Sequence, residues 1–307
     1  MLRPGGGGST REHIFRPSAG FSGQPTAPGR SGDTLGLGLN CGTFQTANVN
    51  CAFAPKGEDC NTFNCNIEWD EWNLVRAHVT PTDTVIEFGA RYGTTSCVLA
   101  EATRNSGRVV AVEPDARAHE TLLANRAANR CNFAVVLGTV SVMPLSLPHF
   151  SRNHYDQTTH ISGAGKASLP NIASYHILEK RVGFNFTAVL IDCEGCIAFV
   201  NSTGLLASPA MHLVMIEEDM PTRVDYGVWY AELRRLGYKR VWHAFSRTAT
   251  PGDRHSAWAR GAYMTGPSCA HFRAKSGQGR NALRCLRNEG DDALNFRAWR
   301  AGVHMAV

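Results

Sequence analysis

Thr84-Val85-Ile86-Glu87-Phe88-Gly89-Ala90-Arg91-Tyr92-Gly93-Thr94 decides the fold of this chain. A short apolar run leads to an acid, two glycines follow four positions apart, and an amphipathic stretch covers 94–103. The order predicts a buried strand, a tight turn and a helix. Open α/β sheets bind ligands outside the carboxyl ends of their parallel strands, where such turns lie. Glycine lacks a Cβ and lets the backbone come close to a ligand, and the first N–H groups of the next helix have no partner within it.

The next unit, Arg108-Val109-Val110-Ala111-Val112-Glu113-Pro114-Asp115, is a second buried-strand pattern ending in a carboxylate. Glu113 lies 24 positions after Gly89. Nucleotide-binding α/β folds place an acid about 20 residues beyond the glycine turn, where it accepts hydrogen bonds from ribose hydroxyls. The dinucleotide fingerprint is absent, because Arg91 stands two positions after Gly89. No glycine-lysine-hydroxyl triplet of a phosphate loop follows either. A nucleoside cofactor without phosphates, such as S-adenosylmethionine, suits this pattern.

Glu87-Phe88-Gly89-Ala90-Arg91-Tyr92-Gly93 resembles motif I of class I methyltransferases, and its Gly-Ala-x-x-Gly form is similar to the FkbM family. That family often has Asn where Arg91 stands. Glu113-Pro114-Asp115, continuing to Leu122, Asn125 and Asn129, resembles a second family stretch, and Ile191-Asp192-Cys193-Glu194-Gly195 its Asp-x-Glu-Gly signature. The likeness spans 69–264. It implies a Rossmann-like α/β fold: a mostly parallel seven-stranded sheet, helices on both faces, and an antiparallel last strand. It also implies S-adenosylmethionine as cofactor and O-methylation of a hydroxyl on a sugar or small molecule. Gly89, Ala90 and Gly93 would then approach the methionine moiety, with Glu87 near its amino group. Glu113 would hold the ribose, and Val140 with the backbone around 138–141 would meet the adenine. Asp192 and Glu194 are the candidate catalytic residues, since a carboxylate near the methyl donor can orient or deprotonate an acceptor hydroxyl. Asp192 is equally suited to capping the next helix.

The remaining core reads in order as a helix over 69–78 with Trp72, Val75 and Val79 on one face, then the strand and helix of the opening stretch. After the Glu113 strand come a helix over 116–129, with Leu122, Leu123, Ala127 and Ala128 as its stripe, and a strand over 133–137. Positions 143–180, with His149, His154 and His160, read as a long irregular loop, either a substrate lid or a surface insertion. A continuous apolar strand over 186–192 suits the sheet centre. Then follow a strand over 211–217 ending in acids, a helix over 224–236 with Val228, Tyr230, Leu233 and Leu236 inward, and strands over 239–245 and 258–264.

Outside this core the chain divides into a Gly/Pro-rich extension over 1–40, read as disordered, a cysteine-rich segment over 41–68, and a tail over 267–307 with a short helix over 291–303. Cys41, Cys51, Cys60 and Cys65 fit disulfides better than zinc, with free thiols the third reading, and disulfides would indicate an oxidising compartment such as the secretory lumen, with the cytoplasm as the alternative. Cys269 and Cys285 are a further candidate bridge. Cys193 and Cys196 form a C-x-x-C that reads as small buried side chains rather than a redox pair. The histidine spacing does not suit helical metal ligands, so no metal is expected. The net charge of +5 resides wholly in 251–307, too sparse for a nucleic-acid footprint. No apolar run reaches the ~18 residues of a membrane span. The expected partner is a small-molecule or glycan acceptor. Two rivals remain: a nicotinamide-dependent oxidoreductase, disfavoured by Arg91, and an inactive methyltransferase fold serving as a binding module, which the cysteine-rich segment motivates.

Overall fold

A computed structural model describes residues 14–15, 69–147, 160–161, 168–245 and 254–261. The elements in chain order are β1 (Ile14–Phe15), α1 (Trp69–His78), β2 (Val85–Phe88), α2 (Thr94–Ala102), β3 (Val109–Glu113), α3 (Ala116–Ala128), β4 (Ala134–Leu137), β5 (Thr139–Val140) and β6 (Leu145–Ser146). They continue as β7 (His160–Ile161), β8 (Asn171–Ile172), α4 (Tyr175–Val182), β9 (Ala188–Ile191), α5 (Ile197–Ser202), β10 (Leu213–Glu217), α6 (Tyr226–Arg235), β11 (Lys239–Phe245) and β12 (Arg254–Ala259).

The main sheet has the order β1-β4-β3-β2-β9-β10-β12-β11. The run from β4 to β10 is parallel, and β12 is antiparallel to both β10 and β11. These seven strands are the expected sheet with its antiparallel closing strand. An eighth, β1, pairs antiparallel with β4, so Ile14–Phe15 is an edge strand inside the segment read as disordered. The remaining extension, the cysteine-rich segment, and the Cys269, Cys285 and 291–303 readings lie outside the described residues.

Every residue of β2, β3 and β9 is buried, as a strand covered on both faces requires. One apolar layer joins Val85, Ala111 and Leu190 to Trp72, Val75, Leu99 and Leu122, from α1, α2 and α3. The other joins Ile86, Val112 and Val189 to Leu178, Val200, Tyr230 and Leu233, from α4, α5 and α6. Helices therefore cover both faces. Among the described residues no helix is long and apolar enough to cross a membrane.

Four local readings change. The segment 143–180 is not wholly irregular: Ser174 caps α4 by accepting from Ile177 N–H, and Gly183 closes it in the left-handed region. Strand β12 starts at Arg254, four residues before the expected 258, and Met264 lies outside the described residues. In α6 the inward residues are Tyr226, Tyr230 and Leu233, whereas Val228 is 59% exposed. In α3, Ala127 and Ala128 face outward while Asn125 is buried.

Candidate cofactor and active site

The sheet changes winding direction between β2 and β9. From β2 the chain proceeds to β3 and β4 on one side, and later to β9 and β10 on the other. Ligand crevices of open sheets open at such a point. Backbone hydrogen bonds stitch the strand ends together there: Gly89 and Ala90 N–H to Val112 O (3.0 and 3.1 Å), Gly138 N–H to Glu113 O (2.9 Å), and Asp192 N–H to Phe88 O (3.0 Å).

Gly89 has φ +92°, and a Cβ built on it would lie 1.5 Å from the Asp192 carbonyl oxygen. The glycine is thus required by the neighbouring strand end. Gly93 has φ +74° and is the N-cap of α2, with room for a Cβ but in a backbone region that L side chains avoid. Arg91 lies between them at φ +46°, also left-handed, a conformation Asn tolerates better than most residues. Its guanidinium donates to Asp115 Oδ2 at 2.9 Å, which ties the turn to the cap of α3. Asn125, fully buried, donates from Nδ2 to the Tyr92 carbonyl at 2.9 Å. The turn is therefore held from two sides.

Glu113 closes β3 with its carboxylate buried. Oε2 accepts from the Arg91 amide and Oε1 from the Asp115 amide, each at 2.7 Å. Burial pushes this carboxyl up to about 7, an effect the Arg91 charge and the two amides only partly offset. Glu87 is 1% exposed and accepts a hydrogen bond from the Ser96 hydroxyl of α2. Val140 is buried in the apolar layer that contains Val112 and Ile172, and β5 pairs in parallel with β8. The amides of Thr139 and Ser141 are already engaged by Pro170 O and Ile172 O. The structure thus brings Gly89, Ala90, Glu113 and Asp192 together at the carboxyl edge of three adjacent strands. Glu87 lies beneath the turn, and Val140 lies beside it in the core.

Asp192 follows β9, and Glu194 lies two residues on at φ +54°. Cys193 and Cys196 are joined by a disulfide across this turn, which corrects their reading as small buried side chains rather than a pair. A second disulfide, Cys97–Cys131, links α2 to the approach to β4. On the α1 side, Glu71 binds His255 Nε2, which is also 3.5 Å from Glu217 Oε1. Burial disfavours charge on both Glu71 and His255, but their mutual attraction outweighs it, lowering the Glu71 carboxyl and raising His255 to about 9. Asp219 accepts from Tyr226 Oη at 3.1 Å, and burial pushes its carboxyl up.

Sequence reasoning assigned no role to Ser96, Glu71, Tyr226 or His255. Ser96 was recoverable, since it lies one helical turn into the helix that follows Glu87. The Glu71–His255 contact joins residues 184 positions apart and left no local signal.

No family model matches this chain, and no curated protein matches it significantly. Solved structures resemble it distantly. An O-methyltransferase from Bacillus cereus in complex with SAH is 11% identical, with 70% of this chain and 86% of that one covered and a TM-score of 0.39. Aeropyrum pernix fibrillarin with natively bound S-adenosyl-L-methionine is 14% identical, with 62% and 76% covered and a TM-score of 0.39. Precorrin-6y C5,15-methyltransferase from Geobacter metallireducens is 12% identical, with 68% and 92% covered and a TM-score of 0.37. Likenesses at this level carry no weight for chemistry.

Proposed function

We propose that this chain is an S-adenosylmethionine-dependent methyltransferase that acts on a hydroxyl of a sugar or small molecule, in the manner of the FkbM-like sequences it resembles. The observation that carries the proposal is the Glu113 carboxylate. It is buried at the end of β3 and drawn against the glycine turn that follows β2, one strand from the point where the strand order reverses. An acid so placed suits a ribose diol, and each oxygen keeps a lone pair beyond its bond to an amide.

The residues present fit such a cofactor. Asp192, Glu194, Glu217 and Asp219 gather acids at the adjoining strand ends, which favours a ligand carrying positive charge. The cofactor, when bound, supplies a methyl group already activated on a cationic sulfur. The chain's task is then alignment and proton management. Gly89, Ala90 and Gly93 shape the turn beside the methionine moiety, and Glu113 fixes the ribose. Asp192, whose amide is pinned to Phe88 O, would orient an acceptor hydroxyl and accept its proton. Glu194 supports it from the same turn. The two disulfides support an oxidising compartment and hence a glycan or secreted small-molecule acceptor.

One observation favours the inactive binding module: both Glu113 oxygens are already occupied by amides, and Val140 is buried. Titration calorimetry with S-adenosylhomocysteine on the wild type and Glu113→Ala separates the two. The methyltransferase reading expects wild-type binding, weakened tenfold or more in the variant, as loss of charged hydrogen bonds of about 1.5–3 kcal/mol requires. Equal affinity in both proteins sinks the assigned role of Glu113.

A further inference from the structure

We propose that the Cys193–Cys196 bridge is a reversible thiol–disulfide exchange site, and that a dithiol acting on it opens the turn that carries Asp192 and Glu194. The two cysteines stand as a C-x-x-C between β9 and α5. Cys193 is partly exposed, whereas Cys196 is 8% exposed and belongs to the same apolar layer as Ile197 and Val200. One cysteine is therefore open to an incoming thiolate, and the other is held inside as its resolving partner.

The second bridge provides the contrast within the same chain. Cys97 and Cys131 are 0% and 4% exposed and lie 34 positions apart. A cross-link stabilises mainly by restricting the unfolded chain, and the restriction grows with the loop it closes. Cys193 and Cys196 lie only 3 positions apart, so their bridge adds little by that route. It restricts the folded turn instead. Glu194 and Gly195, the residues between the cysteines, have φ of +54° and +86°. Glu rarely adopts such a backbone unless its surroundings hold it there. The turn is gripped at both sides: the Asp192 amide bonds Phe88 O, and the Asp219 carboxyl bonds the backbone and side chain of Glu194. Opening the bridge removes the covalent clamp between these two fixed points.

The exchange needs only a dithiol as co-reactant. One thiolate of the dithiol attacks Cys193 Sγ. The Cys193–Cys196 bond breaks, and Cys196 leaves as a thiolate that takes up a proton. The second thiol of the reductant then attacks its own sulfur in the mixed disulfide and releases Cys193. The chain gains two electrons and two protons, and the dithiol becomes a disulfide. A disulfide oxidant drives the reverse. The exchange rests on exposure and spacing alone; only its consequence for Asp192 as a proton acceptor rests on the methyltransferase reading above.

The test is a time course of the folded full chain in dithiothreitol, with samples blocked by N-ethylmaleimide and mapped by peptide mass. Cys193 and Cys196 should become blocked at least about tenfold faster than Cys97 and Cys131, and oxidised glutathione should restore the bridge. In Cys196→Ser, oxidised glutathione should form a mixed disulfide at Cys193, whereas in Cys193→Ser the buried Cys196 should react about tenfold more slowly. Amide hydrogen exchange in the selectively reduced protein should rise at 192–195 and stay unchanged at 85–88. Opening of both bridges at one rate overturns the exchange site, as does equal reactivity of the two variants. Unchanged hydrogen exchange at 192–195 overturns control of the turn. Should a variant fail to fold, the wild-type time course still decides. Calorimetry with S-adenosylhomocysteine on the oxidised protein keeps the two readings apart. Selective reduction without cofactor binding leaves the exchange site standing and removes the methyltransferase; cofactor binding without selective reduction does the reverse.

Discussion

At the scale of single residues, Gly89 carries the heaviest constraint. Its positive φ and the Asp192 carbonyl 1.5 Å from a hypothetical Cβ leave no room for a side chain. Gly89→Ala should therefore lose roughly 3 kcal/mol or more of stability through overlap and backbone strain. Gly237→Ala is the control: φ is +86° but nothing lies within 4 Å, so a loss of only about 1–2 kcal/mol is expected. Thermal melting of the two variants side by side checks the contrast. Glu113 gives a pH prediction with a definite sign. Its carboxyl stands near 7 in the folded protein against 4.5 ordinarily, so the folded state holds its proton longer than the unfolded chain. Stability from this group is complete below 4.5 and declines as pH rises toward 7, by roughly 3 kcal/mol in all. Glu113→Gln should flatten that part of the stability–pH curve. Cofactor affinity should move the opposite way and strengthen as Glu113 ionises. The need for glycine at 89 was legible in the sequence; its reason was not, because the clash comes from a strand a hundred residues later.

Among elements, α2 and α3 set the shape of the glycine turn. Asn125 reaches from α3 to the Tyr92 carbonyl, and Arg91 reaches from the turn to the α3 cap. Asn125→Ala should cost about 1–3 kcal/mol, because it removes a buried hydrogen bond to the Tyr92 carbonyl, and the loss should appear as a lower melting temperature. The Cys97–Cys131 disulfide closes a separation of 34 residues between α2 and the approach to β4. Its removal by the paired Cys→Ser changes should lower stability by about 2–4 kcal/mol, and reductant should lower the wild-type melting temperature in the same direction. The elements from β2 to β4, and β9, were readable from apolar runs ended by acids and glycines. Helix α4 also carried its signals, Ser174 before it and Gly183 after it, but they followed a Gly/Ser/His-rich stretch that reads as loop. Strand β12 was placed too late because its first residues are polar. His255 and Ser256 are buried there, where His255 meets Glu71 and Ser256 accepts from the Trp258 indole.

For the whole molecule, the order β4-β3-β2-β9-β10 places the turn after β2 next to the acid-rich ends of β9 and β10. The class of sheet was legible from the spacing of the strand patterns. The edge strand β1 was not, since two apolar residues in a glycine-rich segment give no periodicity. The Glu71–Glu217–His255 grouping was equally hidden: it depends on β10 and β12 lying side by side and on α1 crossing over them. Cofactor binding is tested by thermal melting with S-adenosylmethionine, S-adenosylhomocysteine and NAD side by side. A ligand at 100 times its dissociation constant stabilises by about 2.7 kcal/mol, enough for a shift of a few degrees. That shift is expected with both adenosyl ligands and none with NAD. A shift with NAD alone, or with none of the three, would contradict it.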